Sequence, residues 1–280
     1  MNMMKTTLLL GALTGLLLVV GQALGGQQGL TFALVMAGLM NFVSFFWSDK
    51  IVLRMYGAQP VTAEQAPELY AIVQKLAQKA NIPMPKLYVL PDAALNAFAT
   101  GRSPSHAAVA ATAGILKAMS REELEGVLAH ELSHVLNRDT LIATVAATLA
   151  GAISFLAHPF MMMGRGRDDR EGENPLLAIV AMNAAPIAAM LIQMAVTRSR
   201  EYGADATGAR LVGYPDGLAS ALRKLQAAAP RIPLQHADPS TAHLFIVNPF
   251  SGRSLMKLFS THPPLEERVE RLMAMKTQPW

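Results

Sequence analysis

The chain has 280 residues, of which 52% are hydrophobic and only 16% are charged. Because a typical soluble protein has about 25% charged residues, this shortfall points to segments that lie within a membrane. The net charge of +4 is modest and no long basic run occurs, which argues against a nucleic-acid partner. Cysteine is absent, so a disulfide framework is excluded and any zinc site would need histidine and carboxylate ligands.

Two apolar runs open the chain, at residues 7–24 and 30–47, with a short glycine-rich connector between them. A cleaved signal peptide is one interpretation of the first run, which follows a single lysine and ends in small residues. The second run is about long enough to cross a bilayer, which favours a hairpin of two membrane spans.

Residues 49–138 contain the soluble elements, because charged residues return there. An amphipathic helix is predicted up to about residue 80. Its start is open between Thr62, which has capping-box spacing with Gln65, and Pro67, which is best tolerated in a first turn. Strands are predicted at residues 87–90, 96–100 and 107–112. Irregular loop is the alternative, because alanine is a poor strand former.

The stretch from residue 120 to residue 139 carries the main chemical signal. It opens with the capping-box pattern S-R-E-E, and apolar residues then recur at helical spacing. On the predicted helix, His130 and His134 lie one turn apart on the same face, and Glu131 follows the first histidine. Two histidine ligands and a glutamate as general base form the zincin arrangement. Two surface histidines on an ordinary helix are the alternative.

Two more apolar runs follow, at residues 140–163 and 175–196. They are predicted to be a second pair of membrane spans, with a buried helix pair in a soluble core as the alternative. Four spans place both termini and the histidine-bearing helix on one side of the membrane. Lysine and arginine near the segment ends favour the cytoplasmic side, although three arginines within residues 165–170 weaken this argument.

A third zinc ligand is expected from a distant part of the chain, because a catalytic zinc has three protein ligands and one open position. Glu201 is the candidate ligand. Asp205 follows it at i+4 on the same helix face and is a candidate hydrogen-bond partner of a ligand histidine. A solvated acidic face is the alternative for both carboxylates.

Four segments together resemble the HtpX family of membrane-bound zinc metallopeptidases, which is related to the CAAX prenyl endopeptidases. They are L-N-A-F-A-T-G-R, A-H-E-L-S-H-V-L-N-R-D, T-R-S-R-E-Y-G-A-D and F-S-T-H-P-P-L-E-E-R. The resemblance implies one Zn²⁺ per chain, held by His130, His134 and Glu201, with Glu131 as the catalytic residue. It also implies a quality-control protease of the inner membrane that acts on many membrane proteins.

Further roles are predicted for the remaining motifs. His262, in T-H-P-P, is expected mainly from the resemblance to donate a hydrogen bond to the developing oxyanion, with a simple turn as the alternative. Arg268 has two interpretations: it holds its segment against the core, or it carries a charge that is solvated. A strand that contains Asn96, Ala97 and Phe98 would pair with an extended substrate if it borders the cleft.

The sequence thus predicts a mainly α fold with a small β-sheet, in which a zincin-like metallopeptidase domain is joined to transmembrane helices. The expected domains are a transmembrane hairpin at 1–48, catalytic parts at 49–138 and 198–280, and a second transmembrane helix pair at 139–197. The predicted function is a zinc-dependent endopeptidase of the cell inner membrane, facing the cytoplasm, that degrades misfolded or damaged membrane proteins.

The competing hypothesis is a membrane chaperone or scaffold with a structural zinc site. No cysteine exists to close the fourth position of such a site, and Glu131 would have no task. A metal transporter is disfavoured because, apart from His158, the apolar runs contain no ionisable residue.

Overall fold

The computed structural model describes residues 2–139, 141–143, 145–146, 149–153, 175–228, 246 and 263–276. The predictions for His158, for the arginines of residues 165–170 and for His262 lie outside these residues. Two compact units make up the chain: Met1–Phe46 with Ile142–Val196, and Trp47–Leu141 with Thr197–Trp280.

The described helices are α1 (Asn2–Met55), α2 (Pro67–Lys79), α3 (Ala113–Ala118), α4 (Arg121–Leu136), α5 (Pro175–Val212), α6 (Asp216–Ala228) and α7 (Leu265–Met275). The described strands are β1 (Gln59–Pro60), β2 (Lys86–Leu90), β3 (Ala97–Thr100) and β4 (Ala108–Thr112), and Pro104–His106 form a 3₁₀ turn.

Helix α1 reverses direction at Gly26, where φ is +54°, a conformation that glycine adopts without strain. A Cβ atom on Gly21 would lie 2.9 Å from the Cβ of Ala33. Twelve residues of straight helix would instead separate these positions by about 18 Å. The two arms of α1 therefore fold back on each other, as the glycine-rich connector predicts.

Large apolar side chains of the second arm of α1 remain exposed to solvent. They are Phe32, Leu34, Val35, Leu39, Phe42, Val43, Phe46 and Trp47. Across the described residues, no helix combines the length and the apolar character that a membrane crossing requires. The membrane spans expected from the sequence therefore stay a prediction.

The second unit contains a four-stranded sheet in the order β1-β2-β4-β3. Strand β4 runs parallel to β2 and antiparallel to β3, which forms one edge of this sheet. The three predicted strands are confirmed, each beginning within one residue of the expected position. Alanine is accepted in β4 because this strand is buried along its whole length, and packing outweighs the weak strand propensity of alanine.

Helix α4 lies in the interior of the second unit. Its capping box is confirmed: the Ser120 backbone N–H donates to Glu123 Oε2 at 2.8 Å, and the Glu123 N–H donates to Ser120 Oγ at 3.3 Å. Helix α6 approaches its backbone directly, because a Cβ on Gly126 would lie only 2.5 Å from the backbone nitrogen of Leu218. The histidine-bearing helix is therefore held rigidly at both its start and its middle.

Helix α2 begins at Pro67, which settles the two alternatives for its start. The competing signal is nevertheless real, because the Thr62 backbone N–H donates to Gln65 Oε1 at 3.0 Å in the preceding turn. Both local patterns therefore form, and proline marks the first turn of the helix.

Candidate active site

Helices α4 and α5 bring His130, His134 and Glu201 together. The two Nε2 atoms of the histidines are 3.2 Å apart, and they lie 3.6 Å and 3.4 Å from the carboxylate oxygens of Glu201. Zinc bonds of about 2.0–2.2 Å in a tetrahedral arrangement separate neighbouring ligand atoms by about 3.3–3.6 Å. The two imidazoles and the carboxylate of Glu201 are therefore spaced closely enough to form a candidate zinc site.

A glycine allows α5 to reach the histidines. A Cβ atom on Gly208 would lie 2.9 Å from the backbone nitrogen of His130, closer than side chains pack. Gly208 lies two turns after Glu201, so both residues occupy the face of α5 that meets α4. Close backbone approach at this glycine is what brings the third carboxylate within reach of the imidazoles.

The ring of His130 is fixed by Asp205. Its Nδ1 atom is 2.9 Å from Asp205 Oδ1, so the ring donates its Nδ1 proton and presents Nε2 to the ligand cluster. Burial alone would raise the pKa of Asp205, but Arg268 and His130 together outweigh burial and lower this pKa. Asp205 therefore stays ionised as a hydrogen-bond acceptor, which is the role predicted from its i+4 spacing.

Arg268 of α7 completes this side of the site, and its side chain is fully buried. It donates from Nε and one terminal nitrogen to the two oxygens of Asp205, at 2.9 and 2.7 Å. Its other terminal nitrogen lies 3.2 Å from Glu201 Oε2. Of the two alternatives for Arg268, the tie to the core is therefore correct, and this guanidinium compensates two buried carboxylates.

The ring of His134 is fixed in the same way by Asp139, just beyond the end of α4. His134 Nδ1 lies 3.0 Å from Asp139 Oδ2. Arg200 donates to the other oxygen of Asp139 from Nε and a terminal nitrogen. Burial lowers the pKa of His134, but hydrogen bonds with Asp139 and Glu201 outweigh it and raise the pKa well above its ordinary value.

Glu131 lies beside the edge strand. Its Oε2 accepts a hydrogen bond from the backbone N–H of Ala99 in β3, at 3.0 Å. Burial raises the pKa of this carboxyl group, with the two histidines opposing the shift. A carboxylate with a raised pKa next to the ligand cluster is suited to take up a proton during catalysis and release it again.

Comparison with known proteins identifies the kind of enzyme to which this geometry belongs. The family model described as peptidase family M48 matches residues 63–276, which include the described ligand cluster. The chain belongs to peptidase family M48. It is therefore a metallopeptidase, and the resemblance to the HtpX family is confirmed by relatives of that name.

The relatives cover almost the whole chain. The protease HtpX homolog of Methylibium petroleiphilum is 55% identical over 280 residues, which are 99% of this chain and 99% of that protein. The homolog of Pyrococcus furiosus is 54% identical over 271 residues, which are 96% of this chain and 94% of that protein. The homolog of Desulforapulum autotrophicum is 55% identical over 276 residues, with 97% and 89% covered.

One solved structure shares the fold at low sequence identity. The crystal structure of S. mikatae Ste24p superposes with a TM-score of 0.53 at 20% identity. The match covers 97% of this chain but 65% of that protein, so the chain spans somewhat less than two thirds of its length. This likeness supports the mainly helical fold with a small sheet.

The predicted substrate strand of this M48 chain lies next to Glu131. Because Ala99 presents its N–H to Glu131, the alternate residue Ala97 directs its backbone groups to the same side, away from β4, although the strand is buried. Asn96 turns towards the fold: its N–H donates to Thr112 Oγ1, and its side-chain oxygen accepts from the backbone N–H of Ile246. Phe98 is buried, with its ring 6.1 Å from that of Tyr56.

Sequence reasoning assigned no role to Asp139 and Arg200. Both residues lie within the quoted motifs, Asp139 five residues after His134 and Arg200 directly before Glu201. Their proximity to the ligands in sequence was the available signal. The pairing itself depends on how α5 packs against the end of α4, which sequence spacing does not determine.

Proposed function

We propose that this metallopeptidase is a zinc-dependent endopeptidase that hydrolyses peptide bonds of misfolded or damaged membrane proteins. The observation that carries the proposal is the grouping of His130, His134 and Glu201 with Glu131 beside them. Two imidazoles and one carboxylate are a donor set that catalytic zinc uses. The activity of a metallopeptidase also gives Glu131 a task, which a structural zinc site would not.

The ligand cluster has the composition of a catalytic rather than a structural site. Among the described residues, the cluster that could hold a metal contains these three donors. Solvent reaches it at His134, whose side chain is 15% exposed. A bound zinc ion would act as a Lewis acid that lowers the pKa of water towards about 7 and polarises the substrate carbonyl.

The residues of the chain then divide the remaining tasks. Glu131 takes the proton from the attacking water and delivers it to the leaving amine, and the Ala99 N–H holds its carboxylate in place for both transfers. We assign oxyanion stabilisation to His262 on the sequence resemblance alone. Asp205 and Arg268 keep the ring of His130 oriented throughout.

The edge strand supports a broad choice of substrate. An extended peptide that adds to the side of β3 facing away from β4 would form hydrogen bonds to the backbone of Ala97, once the surroundings that bury this strand make room for it. Backbone pairing selects for an extended conformation more than for particular side chains. Unfolded segments of many different proteins would therefore be accepted, as quality control requires.

The exposed apolar side chains of α1 support attachment to a lipid bilayer. Soluble proteins rarely expose apolar patches larger than a few hundred Å². We propose that the second arm of α1 places Leu39, Phe42 and their exposed neighbours in lipid, with the M48 domain on the cytoplasmic side.

The test is Glu131→Ala in the full-length protein, purified in detergent. Zinc content is measured together with cleavage of an unfolded model membrane protein. The variant is expected to keep its zinc and to lose cleavage, because the three donors remain and the base is gone. Undiminished cleavage by Glu131→Ala would refute the assignment.

The matched control is Glu122→Ala, which removes an exposed glutamate from the same helix and is expected to remain active. A wild-type protein that binds zinc tightly but cleaves no unfolded membrane protein would instead support the chaperone or scaffold hypothesis. Wild-type protein without zinc affinity would contradict both.

A further inference from the structure

We propose that Asp139 and Arg200 are positioning residues for the metal centre. Asp139 sets the orientation of the His134 ring, and Arg200 joins this aspartate to the helix that carries Glu201. This inference rests on the proposed zinc site and adds two residues to it. Neither Asp139 nor Arg200 donates an atom to the ligand cluster, so both would act through its ligands.

The first step concerns the tautomer of His134. An ionised carboxylate only accepts hydrogen bonds, so the 3.0 Å contact with Asp139 places the proton of His134 on Nδ1. The contact turns Nε2 towards the cluster, where it lies 3.4 Å from Glu201 Oε1. Without Asp139 the ring would be free to rotate and to exchange tautomers, so fewer molecules would present Nε2 to the metal.

The second step concerns the charge of Asp139, which is buried. A buried carboxylate needs a charged partner, and Arg200 supplies one from Nε and a terminal nitrogen. The same arginine donates to the backbone oxygen of Asn137, at 3.1 Å. Arg200 therefore contacts both the carboxylate of Asp139 and the backbone of Asn137 at the end of α4.

The third step follows from the position of Arg200 directly before Glu201. Its ion pair with Asp139 ties the segment after the second histidine to the residue next to the third ligand. The distance between the ligand-bearing parts of α4 and α5 is thereby fixed at this end of the site. Gly208 fixes the same two helices by backbone contact at the His130 end.

The two histidines are thus supported by parallel sets of residues. His130 is held by Asp205 and Arg268, and His134 by Asp139 and Arg200. In each set an aspartate accepts from Nδ1 and an arginine compensates the aspartate. The arginines come from different helices, so each set can be removed while the other remains.

The experiment measures the zinc dissociation constant of the full-length protein in detergent, by competition with a chelator, and the melting temperature of the metal-free protein. Asp139→Ala is expected to weaken zinc binding by about 10–100-fold, the usual effect of removing such a hydrogen-bond partner. Arg200→Gln should weaken binding, and Arg200→Lys should recover part of the loss because it restores the charge. The metal-free melting temperature should change little in Arg200→Lys.

Two controls remove one partner of an exposed ion pair. They are Asp216→Asn and Lys276→Gln, which each remove one member of the exposed pair Asp216–Lys276. Both have the same change in net charge as the test variants and should bind zinc like the wild type. Equal weakening in the controls would overturn the inference.

If the wild type and the folded variants Asp139→Ala and Arg200→Gln all bind zinc tightly, this inference is overturned while the proposed function remains. If Asp139→Ala does not fold, Asp139→Asn and Arg200→Lys decide, and wild-type affinity in both overturns the inference. A wild-type protein that binds no zinc overturns the proposed function and this inference with it. Weakened binding in the test variants with unchanged controls supports both.

Discussion

Helices α4 and α1 differ in which kinds of side chain they bury and which they expose. In α4 the charged residues Glu123, Glu125 and Glu131 are buried, and each has a hydrogen-bond partner. In the second arm of α1, large apolar residues such as Leu39 and Phe42 are exposed. The contrast shows that burial in this chain does not simply follow hydrophobicity.

The two helices differ because their side chains have different surroundings. A buried charge is tolerated in α4 because neighbouring helices, or strand β3 in the case of Glu131, supply an oppositely charged or hydrogen-bonding group. The second arm of α1 exposes large apolar side chains, which the lipid of the proposed membrane attachment would surround. Placing a charge on α1 tests whether its exposed arm requires apolar surroundings. Disturbing the packing and the ion pairs of α4 tests whether these contacts stabilise its buried charges.

The largest effect is expected from a charge on the exposed arm of α1. Leu39 is 55% exposed, and a lysine within the apolar region of a bilayer costs about 2.5–3.5 kcal/mol. Leu39→Lys should therefore shift part of the protein from the membrane fraction to the alkali-extractable fraction. Sedimentation after carbonate extraction measures this shift.

Gln28→Lys is the control for this substitution, because it adds the same charge to an exposed position in the connector between the arms. It should leave membrane attachment unchanged. Firm membrane attachment of Leu39→Lys, equal to that of the wild type, would show that this part of α1 faces something other than lipid.

A second effect is expected where α5 meets α4. Gly208→Val would push the backbone of α5 away from His130, because even a Cβ atom would lie 2.9 Å from its backbone nitrogen. A misplacement of about 1 Å can cost about 100-fold in rate, so peptidase activity should fall by that order. Activity and zinc affinity are measured together, and both should decrease.

Gly208→Ala provides a graded comparison and should have a smaller effect than Gly208→Val. Gly15→Ala is the control, since a Cβ at Gly15 would meet no atom within 4 Å. Full activity in Gly208→Val would show that close helix approach is not what positions Glu201.

Local signals in the sequence were sufficient for much of this fold. The capping box and apolar spacing predicted α4, and short apolar segments predicted the strands β2, β3 and β4. Helical i, i+4 spacing predicted that His130 and His134 point to one place, whereas the inclusion of Glu201 in the ligand set was implied by the family resemblance.

Other features depend on contacts that no local pattern reports. The two-residue strand Gln59–Pro60 was not predicted, because it is defined only by its pairing with β2. Arg200 and Arg268 received no firm role, since a basic residue at a helix position is usually solvated. The function of Gly208 becomes visible only when a second helix is placed against it.

The smallest effect concerns Glu123, one of the buried charges of α4. Besides the backbone N–H of Ser120, its carboxylate accepts hydrogen bonds from Lys224 Nζ at 2.5 Å and Ser220 Oγ at 2.7 Å. Burial raises the pKa of Glu123, but these donors outweigh burial and lower it. Glu123→Gln should reduce the free energy of unfolding by about 1 kcal/mol at neutral pH, a modest value because Lys224 is partly exposed to solvent.

The pH dependence gives this prediction its direction. Because the pKa of Glu123 is lower in the folded than in the unfolded chain, its contribution is complete above the unfolded value of about 4.3. It is lost as the pH falls through the folded value, so the difference between wild type and Glu123→Gln should shrink in acid. Thermal melting across this pH range measures it, with Glu270→Gln, an exposed position on α7, as the control. A difference that grows in acid would mean that the charge of Glu123 destabilises α4, and the contrast with α1 would then not rest on paired charges.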